Sequence, residues 1–505
     1  MERSTLSVTW FVLVVAVAAV PAAGAAQSAP VERPAGAASN VRRAAGVLDS
    51  LPATHWTRLD TWVLLSRVLE RMSPAELAAL AETGDLRAQA LFAYALYTNR
   101  STREEGRSRL QASAEAGNPL AEDAVARMYD EGDGVTQDYV EALTWYRRAA
   151  EQDYAPAQYE LGRSYDYGTG VARDVNEALR WYRKAADQDY DWAQYEVGRI
   201  YNARAGGPDD DAEALRWFRK AAAQGNPKAQ YQIGLAYRWG TGVPKDYAEA
   251  MRWYRMSAEQ NDPGGQRGLG NLYVNGFGVT KDEGEALRWF RKAADQGDAE
   301  AEDSVGEFYN FGMGVPTDFA EALKWYQKAA DQDEPEAYAE IGYLYETGSG
   351  VPKDNAKAFD LYRKSAEGGD SLGQRYLGQL YLYGVGVKKD YPAAMRWYRM
   401  AADQDDAAAE VSVGSMYSHG YGAKQDMREA VRWLRKAADQ EDSTGLWDLG
   451  WHYACGLGVG QDLTKAQALI RRSAELGQEE AKEWLSGPKG RAKWPCDLLD
   501  QKKRK

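Results

Sequence analysis

The sequence predicts an all-α fold, an α/α superhelical solenoid of about eleven 36-residue helix-turn-helix repeats, on three observations. A bulky residue recurs with a fixed period, each period holds two amphipathic stripes of helical spacing, and glycines followed by an aspartate separate the stripes. Trp145, Trp181, Trp217, Trp253, Trp289, Trp325, Leu361, Trp397, Trp433 and Leu469 fall 36 residues apart without insertion. Composition agrees, since 44% hydrophobic residues with 17 Trp and 32 Tyr are far too much apolar material for a disordered chain.

Residues 1–26 predict a cleaved signal peptide: an apolar stretch from Trp10 to Val20 is followed by Pro21 and a small-residue run, Ala23-Gly24-Ala25, that suits cleavage. The mature protein is then periplasmic or secreted. The alternative is an uncleaved membrane anchor, because the apolar run from Val8 to Ala26 approaches bilayer-spanning length. No later run could span a bilayer. Residues 27–40, rich in Pro and Ala, predict a flexible linker. Residues 41–80 predict a helical cap that covers the first repeat with Trp62, Val63, Leu65, Val68 and Leu69. Within that cap, Ser73-Pro74-Ala75-Glu76 gives an N-cap, a proline at the first helical position and a capping-box glutamate.

The array occupies residues 81–485, its first unit degenerate. In one unit Ala157, Leu161, Gly162 and Tyr165 share a face of helix A, and Ala178, Trp181, Tyr182, Ala185 and Ala186 share a face of helix B. Gly168-Thr169-Gly170-Val171 supplies the turn between them. Asp174 and its counterparts 138, 210, 246, 282, 318, 354, 390, 426 and 462 predict N-caps of helix B, seven of them with a Glu three residues on, as in Asp138 and Glu141. Gly162 and its mid-helix counterparts cost about 1 kcal/mol each against alanine. Close packing would offset that cost, and the tryptophan of helix B is expected over this notch. Arg183-Lys184 and Arg291-Lys292 read as solvated charges at the negative end of the helix dipole. The fourth loop departs, with Asn202 to Pro208 in place of G-x-G-V.

The G-x-G-V loop, the A-x-x-W-Y-x-K-A-A helix and the 36-residue period resemble the Sel-one-like repeat (SLR) family, relatives of tetratricopeptide repeats, over about four-fifths of the chain. The resemblance implies a right-handed α/α superhelix acting as an adaptor or scaffold for protein complexes, often in bacterial envelopes or in signalling. A cysteine-rich secreted branch, linked to penicillin binding and β-lactam hydrolysis, carries a disulfide in each unit. Those paired cysteines are absent here.

The expected function is therefore an exported scaffold for protein–protein interactions in the cell envelope, with a glycan- or peptidoglycan-binding module as alternative and β-lactam hydrolysis last. A formal charge of −13 disfavours nucleic acid. Three histidines and two cysteines allow no metal motif of the usual spacing, and no cofactor is implied. With no G-x-S-x-G elbow, no Ser-x-x-Lys motif with its accessory elements, and His419 and His452 without a nucleophile partner, no enzyme is expected.

Two sets of residues are candidates for partner binding. Tyr167, Trp239, Phe311 and Tyr383 recur directly before the loop glycine in every second repeat and predict aromatic anchors; the competing reading is that large and small residues interlock between loops. Arg163, Arg199, Arg238, Arg267 and Arg375 suit an acidic protein patch, or are exposed charges balancing an acidic chain. Residues 486–505 form a basic tail, carrying seven basic and two acidic residues from Gly487 onward, able to dock on its own array. Cys455 and Cys496 are expected to be bonded or both free, bonding being favoured by an oxidising compartment.

Overall fold

A computed structural model describes residues 35–51, 61–204, 207–486 and Cys496. The expected signal peptide, the start of the linker and the basic tail save Cys496 lie outside these residues. Among the described residues the chain is all-α, with 26 helices in succession and no strand. Two compact units divide it at Asp246/Tyr247.

In the first unit, helix Ala35–Asp49 begins inside the segment expected as a linker. Thr61–Leu69 buries Leu64, Leu65 and Val68. Pro74–Ala81 has the expected N-terminus: Ser73 accepts from the Glu76 N–H, and Glu76 reaches back to the Ser73 N–H at 2.9 Å. The degenerate repeat is a real hairpin, Leu86–Thr98 packed on Arg103–Glu115. Hairpins of A and B helices follow, Ala155–Tyr167 with Val175–Asp187 being representative, and the second unit continues the plan from Tyr247–Glu259 to Glu479–Ser486. Within a unit, successive A helices also touch, as Pro335–Thr347 and Ser371–Tyr383 do.

An A–B turn that carries G-x-G-V is locked at both ends. Gly168 ends its A helix at φ 73°, in the left-handed region where a side chain is strained. The Asp174 N–H donates to the carbonyl of Tyr165 at 2.9 Å, closing the loop, while the Asp174 carboxylate accepts from the Asn176 and Glu177 N–H groups. Gly170 has a second reason to be glycine: a Cβ there would collide with the backbone of Tyr139 in the preceding repeat.

Three expectations are corrected. The glycine notch takes the aromatic after the tryptophan: a Cβ on Gly162 would lie 2.6 Å from the Tyr182 ring, and Phe218, Phe290, Tyr326, Tyr362 and Tyr398 do the same in other repeats. Neighbouring helix residues point about 100° apart, so Trp181 instead joins Tyr146 and Tyr154 of the preceding repeat, with Leu161 of its own, and rivets one hairpin to the last. Four of the seven glutamates expected in capping boxes are diverted to tryptophans, Trp145, Trp181, Trp217 and Trp325 donating indole N–H bonds to Glu141, Glu177, Glu213 and Glu321 at 2.8–3.1 Å. Asp210 is not a cap, because Pro208 starts that B helix early; its missing N–H and fixed φ suit a first turn, which then holds Asp209, Asp210 and Asp211 at the positive end of the dipole.

Candidate binding surface

The four aromatics are each the last residue of an A helix, before a left-handed glycine that turns the chain away: Tyr167 and Trp239 in the first unit, Phe311 and Tyr383 in the second. They are 63%, 63%, 60% and 63% exposed. The small or polar residues of the same column, Glu131, Ala203, Asn275 and Thr347, are exposed as well, so large and small side chains do not interlock. The helix end holds these rings in water although buried positions lie one turn back. Trp239 also borders a groove lined by Asn202, Asp211, Leu215, Phe218 and Leu235, between its own hairpin and the preceding one, whose loop lacks the G-x-G-V turn.

The five arginines are engaged within the chain. Arg163 pairs with Glu160 at 2.8 Å, and Arg199 bonds both Glu196 and the buried Asp166, which holds each guanidinium firmly charged. Arg238 lies 4.8 Å from the Trp239 ring. Arg267 joins Asp298 at 2.7 Å and Glu300 at 3.1 Å, and Arg375 joins Asp406 at 3.1 Å. The Arg-Lys pairs of helix B do more than meet solvent: Lys184 stands 3.9 Å over the Trp181 ring, and Arg183 donates to the hydroxyl of Tyr201 in the next repeat.

His419 and His452 serve their own helices. His452 donates from Nδ1 to the Asp448 carbonyl at 2.9 Å, which leaves Nε2 to the Ser418 hydroxyl at 3.2 Å, and burial lowers its pKa. The group that orients this imidazole is a main-chain carbonyl, unable to stabilise an imidazolium as a carboxylate does. His419 bonds the Ser415 carbonyl. A disulfide joins Cys455, at the end of helix Ser443–Cys455, to Cys496, the Cα atoms 5.4 Å apart. Among the described residues no group of three or more His, Cys, Asp or Glu is placed to hold a metal ion, and no helix is long and apolar enough to cross a membrane.

Sequence reasoning missed a ladder of amides between repeats. Gln188 donates to Gln158 at 2.9 Å, Gln224 to Gln194, Gln296 to Gln266 and Gln404 to Gln374, while Gln152, Gln332 and Gln440 donate to the buried Glu122, Glu302 and Glu410. The glutamines recurring at intervals of 36 were its signal.

The profile of the Sel1 repeat matches ten consecutive segments, 119–154, 155–190, 193–226, 227–262, 263–298, 299–334, 335–370, 371–406, 407–442 and 443–478. Among solved structures, c5321 of uropathogenic Escherichia coli, described as a protective antigen displaying an SLR fold, is 33% identical with a TM-score of 0.55, over 85% of this chain and 94% of its own. A Sel1 repeat protein of Oxalobacter formigenes is 34% identical with a TM-score of 0.43, over 48% of this chain and 96% of its own. No curated protein matches significantly.

Proposed function

Because this chain belongs to the Sel1 repeat family, whose helical arrays are typical protein-interaction modules, we propose that it is an exported scaffold of the cell envelope that holds a protein partner by its exposed helix-end aromatics. The observation that carries this is the exposure of Tyr167 and Trp239 in one unit and of Phe311 and Tyr383 in the other. Large rigid rings held in water at low conformational cost are the residues that dominate interface energetics. Trp239 is the strongest anchor, since a groove lies beside it. The name of the Escherichia coli relative supports the envelope, because an antigen that protects is one that antibodies reach. No catalytic family is indicated.

The test is capture from a native envelope extract by the full chain, beside a Trp239→Ala/Tyr383→Ala variant. The expected result is a co-purifying protein, insensitive to muramidase, that the variant loses while keeping its far-ultraviolet circular dichroism. Equal capture by the variant refutes the anchors, and retention on isolated peptidoglycan sacculi would favour glycan binding instead. Export is tested separately by sequencing the N-terminus of the mature protein, expected near residue 27.

A further inference from the structure

In the first unit, the groove beside Trp239 is lined by polar side chains that have no partner. Helices Asp191–Ala203, Pro208–Ala223 and Pro227–Trp239 supply its walls. Of its apolar lining, Leu215 and Phe218 are buried, while Leu235 and Ala236 are partly exposed. Among the described residues, the side chains of Asn202, Asp211, Gln232 and Thr241, which complete the lining, make no hydrogen bond or ion pair.

The preceding interface shows that stacking does not require such an opening. There three registers hold Asp166, Glu196 and Arg199, and the guanidinium ties the two carboxylates together. One repeat on, the same registers hold Asn202, Gln232 and Leu235. The arginine that spans the interface is gone, and its two carboxylates have become amides. The loop valine is missing as well, since Gly207 stands at the position from which Val171 packs on the core. The next loop also stands off: a Cβ on Gly242 would lie 3.2 Å from the Asp211 carbonyl, against 2.6 Å from Phe319 at Gly350 and 2.9 Å from Tyr247 at Gly278.

The opening holds about 170 Å³. A cavity of roughly 150 Å³ accepts a benzene ring, whereas small-molecule sites run from about 300 Å³ upward, so the size suits one apolar side chain. Asn202 and Gln232 each carry a donor and an acceptor, the complement of a peptide group. Beside them, Asp209, Asp210 and Asp211 crowd the first turn of Pro208–Ala223, and among the described residues no lysine or arginine pairs with them. The helix end supplies only about half a positive charge, which leaves this rim negative. Arg238 lies against the Trp239 ring rather than against any of the three.

We propose that this groove seats one leucine or phenylalanine side chain of an extended partner segment, with lysine or arginine flanking it. The apolar side chain packs on Leu215, Phe218, Leu235 and the Trp239 ring. Asn202 and Gln232 bond the main chain beside it, and the flanking cations meet the three aspartates. The inference rests on the scaffold reading above and specifies what Trp239 receives: a basic segment with one apolar anchor.

The experiment is fluorescence anisotropy of a labelled glycine-serine peptide carrying Lys-Phe-Lys, titrated with the full chain, beside peptides carrying Lys-Ala-Lys and Gln-Phe-Gln. The Lys-Phe-Lys peptide is expected to bind roughly tenfold more tightly than Lys-Ala-Lys and about fivefold more tightly than Gln-Phe-Gln. Ala236→Leu, which places a side chain in the groove at unchanged charge, is expected to lose the advantage of phenylalanine. Ala356→Leu, the same change on an exposed residue of helix Asn355–Glu367, is expected to bind as the parent does. Asp209→Asn/Asp210→Asn/Asp211→Asn should abolish the advantage of lysine over glutamine. Equal binding of Lys-Phe-Lys and Lys-Ala-Lys, or parental binding by Ala236→Leu, would overturn the seat; a lysine advantage that survives in the triple variant would overturn the basic flank. If Ala236→Leu does not fold, Asn202→Ala/Gln232→Ala, on residues that are not buried, removes both amides and reads a loss of about fivefold. A gain of about tenfold on removing residues 497–505 would assign the groove to the chain's own basic end and overturn the partner. The two readings separate cleanly: an envelope protein captured by Ala236→Leu as by the parent upholds the scaffold and refutes the seat. Peptide binding by a parent chain that captures no envelope protein refutes the scaffold alone.

Discussion

Residues 155–203 and 299–347 follow the same repeat plan and differ in the sign of one face. In the first segment Arg163 and Arg199 neutralise Glu160, Glu196 and Asp166; in the second the same register carries Glu307, which faces Asp303 and Glu340 with no cation among the charges that act on Asp303. Both keep the glycine notch with its tyrosine, the aspartate cap and the tryptophan bonded to a glutamate. Stacking therefore constrains only a few positions per repeat, and the A-helix registers outside that set are free to differ from one hairpin to the next. Because each hairpin contacts only its neighbours, a change of sign in one repeat is tolerated without disturbing distant ones.

The sharpest way to break the contrast is to make the balanced segment acidic. Arg199→Glu leaves Asp166, whose side chain is 4% exposed, and Glu196 facing a like charge. It should cost about 3 kcal/mol in urea unfolding. An unchanged midpoint would mean that the arginine neutralises nothing that matters.

The acidic segment offers a second test through pH. Its carboxyls titrate higher in the folded chain than the ordinary carboxylate value of about 4, Glu340 at about 7 and Asp303 at about 9, so the folded state binds more protons across that window. Stability is then fully present below about pH 4 as far as these groups are concerned, and falls as pH rises through their folded values. Of the groups that face them, Glu307, Glu334 and Glu336 are acids raised as well and add in the same direction, and the charge of Asp370 pushes Glu340 and Glu336 further up; Tyr326 stays neutral throughout. Thermal midpoints should fall from pH 5 to pH 8, and Glu340→Gln should flatten the slope. A midpoint that rises over this range contradicts the unpaired burial of these acids.

How much of this could be read from the chain differs between fold and site. The period, the helix pairs, the glycine turns and most aspartate caps follow from residue types with one strong local preference. The partner of the glycine notch did not, because Trp181 and Tyr182 are adjacent and a helical stripe of apolar residues does not separate neighbours that point about 100° apart. Glu177 had two uses open to it, the backbone of its own cap or the Trp181 indole, and only packing selects the second. Along the chain the aromatic column was visible, yet interlocking and exposure predict the same alternation of large and small. The register running Arg127, Arg163, Arg199 to Glu307 was likewise in view; that Asp303 is buried among carboxylates depends on how neighbouring repeats pack.

The smallest expected change in stability belongs to the aromatic column, and it separates scaffold positions from free ones most directly. Tyr182 and Tyr167 lie in one repeat: the first is fully buried over Gly162, the second 63% exposed at a helix end. Tyr182→Ala empties the notch and should cost about 3–5 kcal/mol, whereas Tyr167→Ala removes a ring already in water and should change stability by less than about 0.5 kcal/mol. Trp239→Ala should match Tyr167→Ala in urea unfolding. If either exposed aromatic costs as much as Tyr182, the column belongs to the stacking machinery. The aromatics would then be drawn from the same small set of constrained positions as the notch, and the surface left for a partner would shrink to the polar registers, where Glu307 and Arg199 already mark one hairpin from another.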